Sequence, residues 1–580
     1  MKIPELSFLQ RLRLRENHIF LALTIIIAVL AGLAAVLFTL AIRGINYALF
    51  GVAPSYLRYI LVPTLMSLFT GFLLVKFFPD ARGSGVPQTE AAYHLNQGNI
   101  PFRTAFGKFL TGALCIGSGH SMGREGPSVQ IGAGIASSIG RWFRLSPARV
   151  QSLVPVASAA ALSAAFNTPV AAVIFALEEI MGDMNAALLG STVVASVASV
   201  IVERSILGNS PIFHVPAYHL VHPAELIAYV VLGIAGGIVS LAFCKGLLRT
   251  RALFLSMPRR SKIFQPAMGG LVIGVILIFF PQVMGVGYQY VDQAMNGGLL
   301  LKTMLLLCLA KLVATIVSYA SGNAGGIFAP SLYLGAMAGG TVGVLMHRFA
   351  PIPTGDPGAY ALVGMGTLFA GIIRAPMTSV FMIFELTQDY QVLVPLMIAN
   401  MISFAISKQY QPVPLYHALL EQEHVHLPQP GARQAVVPWC ARDIMTRDFA
   451  LIPPATSIQQ AAEIAAKSDA KSFLVGKDGV YSGLVTREQI ENKLKAGDGN
   501  VPVARIATNN YAHTHPDHRL ELVMERLAKN PGLLPVVSRS HVHRLEGVIT
   551  PHSLVEFVQE NWKDQGPPAN NSQEPPPPSG

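Results

Sequence analysis

An acidic residue, Glu125, lies in the middle of the turn Gly123–Pro127, within a long apolar and glycine-rich part of the sequence. Acidic residues inside membrane segments are costly, and a functional role is the default interpretation. An ionised carboxylate at this position can compete with an anion for a nearby binding site. A protonated carboxyl group loses that attraction and can swing away, so Glu125 has the properties of a proton-controlled gate.

Three glycine–proline turns in the apolar region could form such an anion site. Gly83–Pro87, Gly123–Pro127 and Gly326–Pro330 each run into a helical stretch, and proline suits the first turn of a helix, where its missing N–H needs no replacement. A helix start carries free N–H groups and about half a positive charge. Three starts that meet at membrane depth would bind an anion without a cationic side chain. The alternative interpretation is close helix packing through small residues.

The elements that must position these turns are membrane helices. Of the 580 residues, 52% are hydrophobic and only 13% are charged, whereas about 25% are charged in soluble proteins. An open chain in lipid can satisfy its backbone groups only as helices, and about 20 residues cross the hydrocarbon core. The predicted spans are 18–41, 57–77, 185–203, 224–244, 299–319 and 391–407.

The formal net charge of +10 is explained by membrane topology rather than by a nucleic-acid partner. Basic residues precede the first span and fill the segment 245–265, which is typical of cytoplasmic loops. We therefore expect the N-terminus (1–17) and a loop at 245–265 to be cytoplasmic. The residues concerned are Lys2, Arg11, Arg13, Arg15, Lys245, Arg249, Arg251, Arg259, Arg260 and Lys262.

The apolar region, 18–420, contains an internal repeat. The frame Gly-x-x-x-Pro-Ser-x-x-x-Gly-Ala occurs at Gly123 and again at Gly326. In each half a second block follows in the same order, in which a proline precedes a glutamate by nine residues: Pro169 leads to Glu178, and Pro376 leads to Glu385. Two repeats, about 18–206 and 223–420, are predicted, as in many transporters with sites at a repeat interface. We expect Glu178 and Glu385 to be structural partners.

The remainder of the chain has soluble composition. A proline-bearing linker at 421–440 leads to two units of about 55 residues, 441–496 and 503–560, each of which is predicted to run helix, strand, strand, helix. The end of the chain, 561–580, is rich in proline, asparagine and serine and is predicted to be disordered.

The sequence does not suggest an enzyme. No nucleophile–base arrangement, Walker loop or metal-ligand cluster is evident, so we expect neither catalytic residues nor a metal site. Scattered cysteines without metal spacing favour packing thiols. They are Cys115, Cys244, Cys308 and Cys440.

The three turns, in their order and spacing, resemble the signature sequences of the CLC chloride channel and transporter family, and the tail resembles the paired CBS domains of many members. The fold that this resemblance implies is an all-α polytopic membrane domain, with inverted repeats and broken helices, followed by a small α/β cytoplasmic tandem CBS pair. It also implies a homodimer with one ion pathway per subunit.

The resemblance implies roles for individual residues. Ser84 and Tyr416 match the hydroxyl donors of the family's central chloride site. Ile327 and Phe328, in the turn that begins at Gly326, match residues that offer backbone N–H groups to the ion. Serine at position 84 is typical of chloride-preferring members, whereas nitrate-preferring relatives often have proline there.

Proton coupling is implied by two further acidic positions. Glu125 matches the external gating glutamate, and Glu179 matches the internal proton-transfer glutamate that exchangers generally have and channels generally lack. Glu90 matches an acid that supports Glu179. Arg124 and Lys108 are expected to add positive potential near the pathway, although snorkelling at a helix end would account equally well for Lys108.

These observations predict a chloride/proton antiporter in a bilayer, expected to be a bacterial inner membrane, with a cytoplasmic tail. A passive chloride channel is the alternative, and Glu179 speaks against it. A fluoride exporter is disfavoured by Ser84 and the intact turn at Glu125. In a membrane-anchored CBS sensor without ion transport, the three helix starts would be coincidental.

The tail presents a separate question about cofactors. Paired CBS units often bind adenine nucleotides through an aspartate three residues after a threonine. Here Thr486 is followed at that spacing by Gln489, and Thr550 by Ser553. The departure favours a structural dimerisation module over a nucleotide site, and the transport unit requires no cofactor.

Overall fold

The computed structural model describes residues 16–563, with gaps at 53, 183–185, 209–212, 214, 216–219, 352, 428–438, 448, 469, 478–479, 509–511, 519, 530–531, 540 and 542. The chain separates into two compact units, Met1–Pro430 and Gly431–Gly580. Most of the predicted N-terminal segment, most of the linker and residues 564–580 of the predicted disordered end lie outside the described residues.

The first half of the membrane unit is built from helices joined by turns. Its helices are α1 Glu16–Phe50, α2 Tyr56–Lys76, α3 Val86–Leu95, α4 Phe102–Gly117, α5 Glu125–Trp142, α6 Pro147–Phe166, α7 Pro169–Phe175 with a π-helical turn at Ala176–Met181, and α8 Ala186–Leu207.

The second half repeats this plan. Its helices are α9 Leu226–Ser256, α10 Gln265–Phe279, α11 Tyr288–Met295, α12 Leu301–Ala320, α13 Phe328–Phe349, α14 Pro357–Ile373, α15 Pro376–Thr387, α16 Leu393–Tyr410 and α17 Leu415–Glu421. The pair α5 and α6 is matched by the pair α13 and α14, and both pairs pack closely.

The helices that precede the two proline blocks end in the same way. Helix α6 is followed by Asn167, whose φ is +57°, and α14 is followed by Arg374, whose φ is +72°. A left-handed residue stops a helix, and a proline two residues later starts the next one. Each half therefore contains a break at the same place.

Eight helices among the described residues are long and apolar enough to cross a membrane. All six predicted spans fall on such helices. Two more, Pro147–Phe166 and Phe328–Phe349, are largely buried inside the unit. They escaped prediction because alanine, glycine and serine make them less apolar. The predicted loop at 245–265 is wrong in its first half, since α9 continues to Ser256 and contains Lys245, Arg249 and Arg251.

Both copies in the tail unit contain the predicted order helix, strand, strand, helix, but the first copy also has a short helix at Ala441–Ile444 and a strand at Leu451–Ile452 that were not predicted. The first copy contains a three-stranded sheet in the order β1–β2–β3, in which β1 is parallel and β3 antiparallel to β2; the second contains the antiparallel pair β4–β5. The elements are α18 Ala441–Ile444, β1 Leu451–Ile452, α19 Ile458–Ala466, β2 Ser472–Lys477, β3 Val480–Thr486, α20 Arg487–Lys495, α21 Leu520–Lys529, β4 Leu534–Val537, β5 Leu545–Ile549 and α22 Pro551–Lys563.

The two copies in the tail interlock. Thr446, which precedes the first copy's strands, exchanges backbone hydrogen bonds with Val548 in β5 of the second copy, at 2.9 and 3.0 Å. A shared apolar cluster includes Leu474 and Leu484 from the first copy and Val537 and Val548 from the second. Burial of these side chains joins the copies into one unit.

Candidate functional site

The three glycine–proline turns meet at one place. Gly123 N–H donates to the carbonyl of Gly326 (2.7 Å), and Gly326 N–H donates to the carbonyl of Gly123 (2.8 Å). Gly325 N–H donates to the carbonyl of Gly83 (3.0 Å). The starts of α3, α5 and α13 therefore surround a common point, and their amide groups and dipoles supply positive potential there.

Glycine is required for this approach at Gly126. A Cβ at that position would lie 2.6 Å from Ser84 Oγ, 2.8 Å from the Ser84 carbonyl oxygen and 3.3 Å from Cα of Gly326. The first two distances are too short for a carbon atom, so any side chain there would push the first turn away from the other two.

The two predicted hydroxyl donors are buried and lie close to each other. Ser84 and Tyr416 have no exposed surface, and in the described part of the chain neither Ser84 Oγ nor Tyr416 Oη has a hydrogen-bond partner. Helix α17, which begins one residue before Tyr416, packs against α3, which follows Ser84. Buried hydroxyl groups normally find a partner, so these two are suited to a ligand that accepts hydrogen bonds.

Ile327 and Phe328 place the amide groups at the start of α13. Both side chains are buried, and the Phe328 ring is held by the rings of Phe166, Phe175 and Phe369 at centroid distances of 4.9, 5.8 and 4.4 Å. The first amide groups of a helix have no partner within the helix. The aromatic cluster thus fixes the direction in which those groups point.

The side chain of Glu125 is fully buried and lies between the starts of α5 and α13. A Cβ added to Gly123 would lie 2.3 Å from Glu125 Oε2 and 3.1 Å from the amide nitrogen of Ala329, so the carboxyl group occupies the space beside that amide. Its other oxygen, Oε1, accepts a hydrogen bond of 2.6 Å from Tyr288 Oη. This is the position expected of a carboxylate that competes with an anion for helix amide groups.

Arg124 and Lys108 hold the backbone around the site. Arg124 donates to Thr39 Oγ1 and to the carbonyl of Ala165, both at 3.1 Å. Lys108 has no exposed surface, and its Nζ donates to the carbonyls of Ala81 and Gly83 at 2.8 Å each. The snorkelling explanation for Lys108 is therefore wrong, because its ammonium group donates hydrogen bonds to backbone carbonyls inside the protein.

Two cavities flank the meeting point of the turns. One, of about 630 Å³, is lined by Thr39, Arg43, Arg124, Glu203 and Tyr288, among others. The second, of about 970 Å³, is lined by residues that include Arg82, Gln88, Gln130, Arg251 and Glu423. The first reaches the residues that contact Glu125, and the second reaches the helices that follow Ser84 and Glu125.

Glu179 lies in the π-helical turn after α7, in electrostatic contact with Glu90, Glu178 and Arg374. Glu90 is 4% exposed, and its Oε1 accepts a hydrogen bond of 2.7 Å from His417 Nε2. Within the described residues its Oε2 has no partner. Two carboxyl groups and an imidazole are therefore gathered next to Tyr416.

Glu178 and Glu385 cap each other's half of the protein. Glu178 accepts from the amide groups of Met377 (3.1 Å) and Thr378 (2.8 Å) at the start of α15. Glu385 accepts from those of Val170 (2.9 Å) and Ala171 (2.7 Å) at the start of α7. The prediction that these two residues are structural partners is confirmed.

Residues 66–408, more than half of the chain, match the family model described as voltage gated chloride channel. The chain belongs to the voltage-gated chloride channel family. Residues 441–495 match the CBS domain model. The resemblance to CLC proteins with a CBS tail is thereby confirmed.

Curated relatives in this family include exchangers and a channel protein. The chain is 29% identical to the H(+)/Cl(-) exchange transporter ClcA of Vibrio campbellii over 68% of this chain and 88% of the relative. It is 34% identical to a ClcB-like chloride channel protein of Ralstonia nicotianae, over 59% of this chain and 80% of the relative.

Solved structures of the family agree with the fold. A slow cyanobacterial Cl-/H+ antiporter matches with a TM-score of 0.64 and 28% identity, over 70% of this chain and 97% of that one. A eukaryotic CLC transporter matches with a TM-score of 0.59 and 21% identity, over 92% of this chain and 97% of that one, and supports the fold alone.

In the CBS tail, the residues that replace the expected aspartates serve their own helices. Thr486 Oγ1 accepts from Gln489 N–H (3.2 Å), while Gln489 Oε1 accepts from Thr486 N–H (2.8 Å). Thr550 and Ser553 exchange the same pair of bonds at 3.0 Å. These are reciprocal helix caps, so neither side chain is directed to a ligand.

Sequence reasoning missed two residues in this CLC site, Tyr288 and His417. His417 directly follows Tyr416, and a histidine beside a predicted ion ligand is a signal that could have been used. Tyr288 gave no local signal, because it lies 163 residues from Glu125.

Proposed function

We propose that this protein exchanges chloride for protons across the membrane, with the gate at Glu125. The observation that carries the proposal is the carboxyl group of Glu125 beside the first amide groups of α13. A carboxylate and a chloride ion compete for the same amide groups there, so occupancy by one excludes the other. Protonation removes the charge of the competitor and admits the anion.

Chloride is held in this proposal without a cation in direct contact. Ser84 Oγ and Tyr416 Oη donate hydrogen bonds, and the turn that begins at Gly326 contributes the N–H groups of Ile327 and Phe328. The absence of a partner for either hydroxyl in the described residues supports this assignment. Arg124 and Lys108 add positive potential while they hold backbone carbonyls.

Protons reach Glu125 by a separate internal route that begins at Glu179. Glu90 keeps a second carboxyl group in electrostatic contact with Glu179, and His417 orients Glu90 through its hydrogen bond. Similarity to proteins named as H(+)/Cl(-) exchange transporters supports antiport. The carboxyl groups of Glu125 and Glu179 supply the proton-binding groups that antiport needs.

The assembly and topology complete the proposal. The protein is a homodimer in which each subunit has its own pathway, located in a bacterial inner membrane, with the N-terminus and the CBS tail in the cytoplasm. The regions 18–420, 441–496 and 503–560 form the transport domain and the two CBS units. The CBS pair acts as a structural dimerisation module, since Gln489 and Ser553 are used as caps.

The test is chloride-driven proton movement in proteoliposomes that contain the full chain. A chloride gradient is expected to move protons against their own gradient with the unaltered protein. Glu125→Ala is expected to abolish proton movement while chloride still flows. Glu385→Gln, at a half-buried glutamate that caps a helix outside the anion site, is the matched control and should retain coupling.

The ClcB-like relative is named as a chloride channel protein, so a passive channel is the second candidate. The same vesicles separate the two. Passive chloride flux, with no uphill proton movement in the unaltered protein, would establish the channel and remove the antiporter.

A further inference from the structure

Tyr288 reaches Glu125 from an element that belongs to neither of the facing helix starts. It is the first residue of α11 and follows Gly287, whose φ is +77°. Its ring packs on Phe213 at 5.1 Å and on Phe166 at 6.3 Å between centroids. The aromatic contacts fix the ring, so its hydroxyl group is held at a set position.

That hydroxyl group bonds directly to the gating carboxyl group. The distance from Tyr288 Oη to Glu125 Oε1 is 2.6 Å, typical of a hydrogen bond to a charged acceptor. Such a bond is stronger in a buried, weakly polar environment than in water. Among the side chains that the structure describes, Tyr288 is the one that donates a hydrogen bond to this carboxyl group.

The neighbouring arginine, Arg124, does not hold the gating carboxyl group in this way. The terminal nitrogens of Arg124 are bonded to Thr39 and Ala165, and its guanidinium carbon lies 5.9 Å from the centre of the Tyr288 ring. Arg124 thus supports the tyrosine ring and the backbone, while the hydroxyl of Tyr288 makes the contact with the gate.

Tyr288 also lines the cavity of about 630 Å³ that adjoins the gate. The ring contacts hold Tyr288 in place, so a carboxyl group that moves from its present position by more than the reach of a hydrogen bond must break its bond to Tyr288. We propose that Tyr288 is a latch that holds Glu125 in the anion-competing position and thereby sets how strongly chloride must compete to enter. This inference rests on the proposed function and adds a positioning residue to it.

The latch has a thermodynamic consequence. If only a fraction of the molecules has the site free of the carboxylate, the apparent dissociation constant for chloride is the intrinsic one divided by that fraction. Loss of the bond to Tyr288 raises the free fraction. Chloride should then bind more tightly, and only when a carboxylate is present at position 125.

The experiment is calorimetric titration of chloride into the purified full chain in detergent. Tyr288→Phe retains the ring contacts and removes the hydroxyl group. We expect it to lower the apparent dissociation constant for chloride by about ten- to a hundredfold, the range for one hydrogen bond to a charged group. In the Glu125→Ala background the same substitution is expected to leave chloride affinity unchanged.

The matched control is Tyr360→Phe. Tyr360 is also buried and donates to a buried carboxylate, Glu225 Oε1, at 3.0 Å, but this pair lies outside the anion site, and its loss should not change chloride affinity. Unaltered affinity in Tyr288→Phe, or an equal change with and without Glu125, would overturn the latch. Gel filtration verifies that the variants are folded.

The latch and the antiport are tested separately. Uphill proton movement by the unaltered protein in vesicles decides antiport, whereas the chloride titrations decide the latch. A carboxylate-dependent affinity change in a protein that fails to pump protons would keep the latch and remove the antiport. The reverse pattern would remove only the latch.

Discussion

Gly123–Pro127 in the first half of the membrane unit and Gly326–Pro330 in the second half are equivalent turns, but the third position is Glu125 in one and Phe328 in the other. The backbones of the two turns pair with each other in an antiparallel bridge. The two halves therefore share the construction of the site, while only the first contributes a titratable side chain.

A second pair of blocks shows the same contrast. Glu178 and Glu385 occupy equivalent positions and cap each other's helices. The next residue is Glu179 in the first half and Leu386 in the second. Lys108 and Lys311, each 15 residues before its glycine turn, are both buried, and both donate to backbone carbonyls.

The difference separates scaffold from chemistry. Residues present in both halves satisfy buried backbone groups, a need that each half has by itself. Glu125 and Glu179, which have no equivalent in the second half, are not needed to satisfy buried backbone groups and carry the proposed proton chemistry. Substitution of equivalent residues in the two halves can test this division.

The largest expected effect is at the position after the capping glutamates. Glu179→Ala is expected to reduce proton movement in vesicles by about a hundredfold or more, the order for loss of a positioned proton-transfer group, while chloride flux persists. Leu386→Ala is the matched control and should keep proton coupling. Equal loss of coupling in both variants would contradict the division.

Substitution of the buried lysines should affect stability equally. Lys108→Met and Lys311→Met each leave at least two buried or half-buried carbonyls without their donor, at a cost of about 2–4 kcal/mol. The fraction of protein that survives heating in detergent, measured by gel filtration, checks this expectation. A chloride affinity that falls only in Lys108→Met would show that Lys108 also acts on the ion.

Substitution of the capping glutamates should cause a smaller loss of stability than substitution of the lysines. Glu178→Ala and Glu385→Ala each remove an acceptor from two helix amide groups, which costs about 1–3 kcal/mol. The same heating assay should give similar losses for both. A much larger loss of stability in Glu178→Ala than in Glu385→Ala would mean that Glu178 does more than cap α15.

The smallest effect is expected at His417, a residue of the second half that contacts the first. His417→Gln can still donate to Glu90, so we expect proton movement to slow only a few-fold, since acid–base capacity is lost while orientation is kept. His417→Leu, which also removes the donor, should slow it further. Equal rates of proton movement in the two variants would show that His417 contributes acid–base capacity but does not orient Glu90.

Much of the site could be predicted because its signals are local. Glycine and proline at fixed spacing mark helix starts, and an acidic residue among apolar ones marks a functional position. The pairing of the halves was not predictable in detail. The bond between Tyr288 and Glu125 joins residues far apart in sequence, and so does the bond between His417 and Glu90.

Two buried helices show why hydropathy alone was insufficient. Pro147–Phe166 and Phe328–Phe349 are rich in small residues and face protein rather than lipid. Lipid-facing helices need large apolar side chains, whereas close helix packing needs small ones. A search for apolar runs therefore finds the outer helices first.

Local sequence was enough to predict the membrane class, the repeat, the helix starts and the acidic position at Glu125, because each depends on residue type and on near neighbours along the chain, whereas Glu179 was named through the resemblance to the family. The convergence of the three turns, the exchange of caps between halves, the hydrogen bond from Tyr288 to Glu125 and the one from His417 to Glu90 were decided only by tertiary structure. Those contacts join residues up to 327 positions apart, and the geometry that brings them within hydrogen-bonding distance depends on how every intervening helix packs.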